Sequence, residues 1–173
     1  MMTVVPVLVH AFAPWQSLYS NSKPVATAVT STHLLAMLFG GGLAVAADRA
    51  TLRAAGADPV ARRRLLEDLG QVHRPVLIAL AVLFVSGAAL ATADVETFAK
   101  SPAFAVKLVL VTLLLTNGWV LARTESTLRA APADNEPQPW EHRLWRRLRT
   151  TARLSLLLWA GLVVAGTVLV NAA

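Results

Sequence analysis

A histidine lies among hydroxyl residues in residues 27–42 (TAVTSTHLLAMLFGGG), a segment that is otherwise apolar. Hydroxyl groups and an imidazole are costly in hydrocarbon, so this part of the chain must face a protein interior or a water-accessible pocket. If the segment is helical, His33 shares one face with residues three, four, seven and eight positions away: Thr30, Met37, Gly40 and Gly41. A histidine beside a helix face flattened by glycines suits a planar macrocycle, which makes His33 a candidate haem ligand.

Two other interpretations of the same segment stay open. Gly40 and Gly41 would also allow close packing of membrane helices, with His33 hydrogen-bonded to a neighbouring helix. His33 and Met37, four positions apart, could instead form a soft-donor pair suited to Cu(I), although two ligands alone make an incomplete site.

Lys107 is the second intramembrane residue that could carry chemistry. It lies near the start of a later apolar stretch, FAVKLVLV. An ammonium there either extends toward water or meets an anion, and a haem propionate is such an anion. His10 lies in a Pro-containing segment that could fold back toward His33, so it is a further candidate ligand.

Composition places the chain in a membrane. Of 173 residues 55% are hydrophobic, and the mean hydropathy is +0.55. Four stretches are long enough to span a bilayer, at residues 25–47, 75–93, 104–122 and 154–170. Pro24, Pro75 and Pro102 stand at or just before the predicted helix starts. We therefore predict an all-α integral membrane four-helix bundle that forms a single transmembrane domain over residues 1–173.

The arginines predict the orientation of this bundle. Six lie in residues 48–74 and seven in residues 123–153, so the positive-inside rule places both loops in the cytoplasm and both termini in the periplasm of a bacterial inner membrane. Because the arginines lie in loops rather than along an aromatic-interleaved stripe, the net charge of +6 does not indicate nucleic-acid binding. Cysteine is absent, which excludes thiolate metal sites.

The segments outside the four spans also have expected structures. Residues 1–23 are interrupted by Pro6 and Pro14, and we expect them to lie in the membrane interface or to pack against the bundle, without a cleaved signal peptide. Both cytoplasmic loops contain amphipathic helices. The first carries Leu65, Leu66, Leu69 and Val72 and would lie at the inner surface; the second, WEHRLWRRLR, places Trp140 and Trp145 at headgroup depth and runs into the fourth span.

Depth separates the histidines. His33 lies about 14 residues, or roughly 20 Å, from the inner surface at which His73 would begin the second span. One iron therefore cannot be shared by these two residues. His142 belongs to a basic cytoplasmic helix and is expected to be solvated.

The segment from His33 to Leu43, HLLAMLFGGGL, resembles the first helix of the copper-resistance-D-like membrane proteins, and the layout is similar to that of HemJ-type protoporphyrinogen oxidases, which bind b-type haem. The resemblance covers roughly residues 30–120. It implies that His33 is an axial haem ligand or a metal ligand and that Lys107 pairs with a propionate or another anion. Phe39 stands where those families usually have Trp, and the aromatic, Pro- and Arg-containing end of the HemJ first helix is replaced by AVAADR. The resemblance thus implies a haem-type site rather than a particular reaction.

Three functions follow as hypotheses. The first is a protein with b-type haem near the outer leaflet, in electron transfer or redox chemistry with a partner at the outer face. The second is copper handling by His33 and Met37. The third is a cofactor-free accessory subunit that docks on other membrane subunits. The predicted spans contain no Asp or Glu, which argues against a proton-coupled transporter.

Overall fold

The computed structural model describes residues 4–54, 56, 58–131 and 139–172. These residues form six α-helices, in chain order α1 (Val4–Asn21), α2 (Lys23–Ala54), α3 (Pro59–Ala93), α4 (Val95–Lys100), α5 (Pro102–Arg129) and α6 (Pro139–Ala172). Four of them, α2, α3, α5 and α6, are long and apolar enough to cross a membrane, which confirms the predicted all-α bundle of four spans.

Two helix pairs build the bundle. α2 packs along α3, α5 packs along α6, and α2 joins the pairs by packing on α6. The α2–α3 register is antiparallel, because Gly40 lies against Ala79 while His33, seven residues earlier, lies against Gly87, eight residues later. We call the end where α2 leads to α3 and α5 leads to α6 the Arg-rich end. α4 lies at the opposite end.

α3 and α6 begin well before the predicted spans. Pro75 was expected at a helix start, but it lies inside α3. The start signal is Asp58 followed by Pro59, since the Asp58 carboxylate accepts a hydrogen bond of 2.9 Å from Ala61 N–H. That bond also holds the pKa of Asp58 below its ordinary value. In α6 the basic segment runs directly into the span, as predicted.

The extended parts of these helices pack inward at the Arg-rich end. Leu65, Leu66 and Leu69 join a buried cluster with Leu128, Trp145 and Leu148. The predicted amphipathic pattern is therefore present, but its apolar face contacts α5 and α6 instead of the membrane surface. Trp145 was expected at headgroup depth; it is buried in this cluster, with the Arg62 guanidinium 5.2 Å from its ring centroid.

The N-terminal segment forms α1, which packs against α2, α3 and α4. Trp15 Nε1 donates to the carbonyl of Ala89 at 2.9 Å, and Gln16 Nε2 donates to the carbonyl of Thr92 at 3.3 Å. Of the two expectations for this segment, packing against the bundle is the one that these contacts support. Pro14 lies within the helix.

A second buried cluster fills the middle of the bundle. Leu114, Leu158, Trp159 and Leu162 form its centre, and Met37 and Ala44 of α2 pack against it. The glycines of α2 allow this packing: a Cβ at Gly41 would lie 3.2 Å from the Trp159 ring, and one at Gly40 would lie 2.9 Å from the Ala79 Cβ. These glycines therefore set the spacing of α2 from α6 and α3.

This spacing predicts a difference between adjacent glycines. Gly40→Ala would force α2 and α3 apart, and we expect it to lower the free energy of unfolding by about 1–3 kcal/mol, a usual cost of overpacking. Gly42→Ala is the matched control, because a Cβ there meets nothing within 4 Å. It should leave stability unchanged or slightly raised, since alanine is the better helix former. Thermal unfolding in detergent micelles measures both, and equal losses would contradict the proposed close contact.

Candidate ligand site around His33

The His33 imidazole lies between α2 and α3 and is half-buried. Its Nδ1 atom is 3.0 Å from Ser86 Oγ. The Ser86 hydroxyl lies 2.7 Å from the carbonyl of Val82 and 3.2 Å from that of Leu83, so its single hydrogen is used within α3. We infer that Ser86 Oγ accepts from His33 Nδ1–H, because this tautomer leaves the Ser86 hydrogen bonded within α3. The neutral ring then carries its lone pair on Nε2, the state in which histidine binds metals.

Gly87 completes the seat of the ring. A Cβ at Gly87 would lie 3.1 Å from His33 Cε1. The imidazole thus rests against the α3 backbone, and a larger residue would have to displace it. Neither Ser86 nor Gly87 was among the site residues predicted from the sequence. The antiparallel order of the first two spans could have identified them. It brings the polar residues 27–33 of α2 beside the one serine of the second predicted span.

Lys107 points into the bundle from α5. Its Nζ lies 3.9 Å from the position that a Cβ would take at Gly166 of α6. Its charge also acts electrostatically on His33. Among the side chains described over residues 6–54, 58–131 and 139–169, no carboxylate pairs with Lys107. The half of the bundle away from the Arg-rich end therefore brings together an imidazole and an unneutralised ammonium.

The other predicted site residues do not join this pair. Gly40 and Gly41 were expected to offer a flat face to a macrocycle, but Ala79 and Trp159 cover that face. Close helix packing, the alternative interpretation, describes these two glycines.

Three more candidates lie elsewhere. Met37 packs in the central apolar cluster. Thr30 is exposed, and its hydroxyl hydrogen-bonds Tyr19 Oη of α1 at 3.3 Å. His10 is exposed on α1. The structure thus places His33 and Lys107 in one region, gives Met37 and Thr30 other contacts, and leaves His10 exposed on α1.

The two histidines of α2 and α3 are far apart, as their depths predicted. His73 contacts Glu125 of α5, whereas His33 contacts Ser86, thirteen residues further along α3. That separation is roughly 20 Å of helix. His142 is exposed on α6, as expected for a solvated residue.

An open apolar groove of about 470 Å³ adjoins the His33 contact between α2 and α3. Its size is in the range of ligand pockets. Its walls are small or branched side chains, and Thr32 and Ser86 supply its hydroxyl groups. The lining residues are Ala28, Val29, Thr32, Ala81, Val82, Val85, Ser86 and Ala89.

The side chains restrict which metal centres fit. Within the described part of the chain, no three His, Cys, Asp or Glu residues lie close enough to hold a metal ion. A metal bound entirely by protein ligands of these types therefore lacks a donor set there. Haem iron needs only one or two protein ligands because the porphyrin supplies the rest, and a single histidine meets that need.

Comparison with protein-family models, curated proteins and solved structures gives no match.

The His33–Ser86 contact predicts a tautomer. In wild-type protein labelled with ¹⁵N-histidine, we expect NMR to show His33 neutral with its proton on Nδ1. Ser86→Ala removes the acceptor and should shift the tautomer equilibrium toward Nε2–H, the form favoured in water. Ser31→Ala, an exposed serine on α2, is the control and should leave the spectrum unchanged. A wild-type spectrum dominated by Nε2–H would contradict the assignment.

Proposed function

We propose that this chain is a membrane protein that binds one b-type haem in the half of the bundle away from the Arg-rich end, with His33 Nε2 as an iron ligand. The observation that carries the proposal is the His33–Ser86 hydrogen bond, because it fixes the ring and leaves the Nε2 lone pair for a metal. Histidine ligands are usually oriented in this way, by a hydrogen bond from the other ring nitrogen.

Lys107 supports the choice of haem over a bare metal ion. An ammonium without a carboxylate partner favours a ligand that carries negative charge, and haem propionates carry it at the edge of an otherwise apolar ring. A bare copper ion would add positive charge beside Lys107. In addition, Met37, the second ligand of the copper hypothesis, packs in the central apolar cluster.

The bound haem would supply one-electron redox chemistry. The chain's own residues would hold and tune it: Ser86 orients the His33 ring, Gly87 makes room for that ring, and Lys107 would neutralise a propionate. We therefore infer a role in electron transfer or redox chemistry with a partner at the outer face of the membrane, and assign no substrate.

The proposal is tested by absorption spectra of the full chain purified after haem-supplemented expression, oxidised and dithionite-reduced. We expect a Soret band that shifts on reduction in wild type, its loss in His33→Ala, and its retention in His10→Ala. Lys107→Gln should retain the band but weaken haem binding about fivefold, because a partly screened ion pair contributes up to about 1 kcal/mol.

The same purified samples also test the two other hypotheses. Absence of a Soret band in wild type, or an unchanged band in His33→Ala, would overturn the haem proposal. Metal analysis showing copper that is lost in both His33→Ala and Met37→Leu would replace it with copper handling. A stoichiometric membrane partner with neither chromophore nor metal would favour the accessory subunit.

We also propose that the Arg-rich end faces the cytoplasm of a bacterial inner membrane, with both termini in the periplasm. The chain contains no cysteine, so single cysteines report on topology directly. Asn21→Cys lies at the end of α1, and Ala130→Cys lies after α5 at the Arg-rich end; both positions are exposed. In intact spheroplasts an impermeant maleimide should label the first and reach the second only after lysis. The reverse pattern would invert the assignment.

A further inference from the structure

Buried polar side chains collect near the Arg-rich end of the bundle. Three helices contribute them, and each residue is at most 8% exposed: Asp48 and Thr51 from α2, Asn117, Thr124 and Glu125 from α5, and Thr151 and Ser155 from α6. We call this set the polar cluster. Two contacts connect the helices within it, since Asn117 Nδ2 donates to the carbonyl of Thr151 at 2.9 Å and the side chains of Ser155 and Asp48 are hydrogen-bonded.

Two carboxyl groups lie inside the polar cluster. Glu125 is 1% exposed and Asp48 is 4% exposed. Asp48 Oδ2 and both oxygens of Glu125 are buried without a hydrogen-bond partner in the described part of the chain. The predicted spans, which contain no Asp or Glu, end before Asp48 and Glu125. Because α2 and α5 continue past those spans, both carboxyl groups are interior, and the bundle does contain acidic groups suited to proton chemistry.

The surroundings of Glu125 compensate its charge only in part. From α3, His73 Nε2 lies 3.4 Å from Glu125 Oε2. From α5 itself, Arg129 Nη2 lies 3.9 Å from Glu125 Oε2. The Arg129 guanidinium lies against Gly70 of α3, and its side chain is 44% exposed. From α2, Asp48 is near enough to repel Glu125 electrostatically.

The remaining neighbour of Asp48 and Glu125, α6, contributes hydroxyl groups to the polar cluster, from Thr151 and Ser155. Two ionised carboxylates would thus repel each other in a buried site, where charge is costly. One bound proton removes both the repulsion and one buried charge. A metal ion is the less suitable occupant, because the described residues offer no set of three carboxylate or imidazole ligands around one point.

His73 connects this site to the outside. Its Nδ1 lies 2.9 Å from the carbonyl of Leu69 and donates to it, which directs Nε2 toward Glu125. The His73 side chain is 34% exposed, in contrast to the buried carboxyl group that it contacts. Imidazole exchanges protons readily near neutral pH, so a half-exposed histidine in contact with a buried carboxyl group is suited to transfer a proton between water and the interior.

We propose that Asp48 and Glu125 form a proton-binding site that exchanges with the Arg-rich side of the membrane through His73. In the transfer step the N–H bond at Nε2 of protonated His73 breaks and an O–H bond forms at Glu125 Oε2. His73 becomes neutral and takes its next proton from water. The proton then stays on Glu125, where it removes the charge that repels Asp48. The site is independent of the His33 site and of any bound haem.

Infrared difference spectroscopy of the full chain in lipid nanodiscs tests the proposal, with the pH stepped from about 6 to about 9. We expect a C=O band of a protonated carboxyl group near neutral pH that shifts in D₂O and disappears as the pH rises. Glu125→Gln and Asp48→Asn should each remove or displace this band. Glu67→Gln, an exposed glutamate on α3, is the control and should leave it unchanged.

The rate of exchange tests the role of His73. After a pH jump, His73→Gln should retain the band but slow its change several-fold, while His142→Gln, an exposed histidine on α6, should not. An equal rate in His73→Gln would remove the relay from the proposal.

The wild-type titration decides the proton site even if a variant fails to fold. Carboxyl groups that are all ionised throughout the titration would overturn it. So would a band that persists in the Asp48→Asn and Glu125→Gln variants. Loss of the band on adding Na⁺ or Mg²⁺ at fixed pH would reassign the site to a metal cation.

Discussion

The close approach of α2 and α3 determines where the polar groups of the bundle can lie. Gly40 lies so near Ala79 that a single added Cβ would not fit, and this contact fixes the register of the two helices. The same register brings His33 to Ser86 and Gly87. In hydrocarbon a polar side chain has no water to bond, so it must meet a partner on a neighbouring helix. Such bonds contribute only about 0.6–2 kcal/mol each, and their main effect is to select one arrangement of the helices.

α6 transmits this arrangement to the rest of the bundle. Its Trp159 packs on Gly41, its Ser155 bonds Asp48, and the backbone of its Thr151 accepts a hydrogen bond from Asn117 of α5. The two halves of the interior hold different ionisable groups. The half that contains His33 and Lys107 holds basic groups, and the Arg-rich end holds two buried acids. Basic groups favour an anionic ligand, whereas paired acids favour a proton, so the two halves of one bundle suit different occupants.

Much of this fold could be predicted from the sequence. The burial of residues inside the bundle at its Arg-rich end could not. Long apolar stretches and arginine-rich loops are strong signals, because hydrocarbon and headgroups select residues by type alone. Glu125 was missed because it follows the third apolar stretch. It nevertheless continues the inward-facing series of α5, since Leu114, Asn117 and Leu128 lie at helical spacing from one another and are also buried.

Other features depend on which helices are neighbours. Neither Ser86 as the partner of His33 nor Trp159 as the neighbour of Gly41 follows from spacing within one helix, because each contact joins two helices whose register is set elsewhere. Lys107 likewise combines a feature that the sequence shows with a contact that depends on a neighbouring helix. Its type and depth identified it as unusual, but only the packing of α5 on α6 shows that it points toward Gly166.

The central apolar cluster separates the two sites. His33 and Asp48 are fifteen residues apart on α2, or roughly 22 Å. Between them Met37 and Ala44 pack against Leu114, Leu158, Trp159 and Leu162. Close-packed apolar side chains leave no room for a chain of water molecules, and none of these residues carries a carboxyl or imidazole group that could exchange a proton. The described side chains of this cluster therefore offer no relay from Asp48 and Glu125 toward His33. Any influence of one site on the other must pass through the electric field or through movement of the helices that contribute to both sites, α2, α3 and α5.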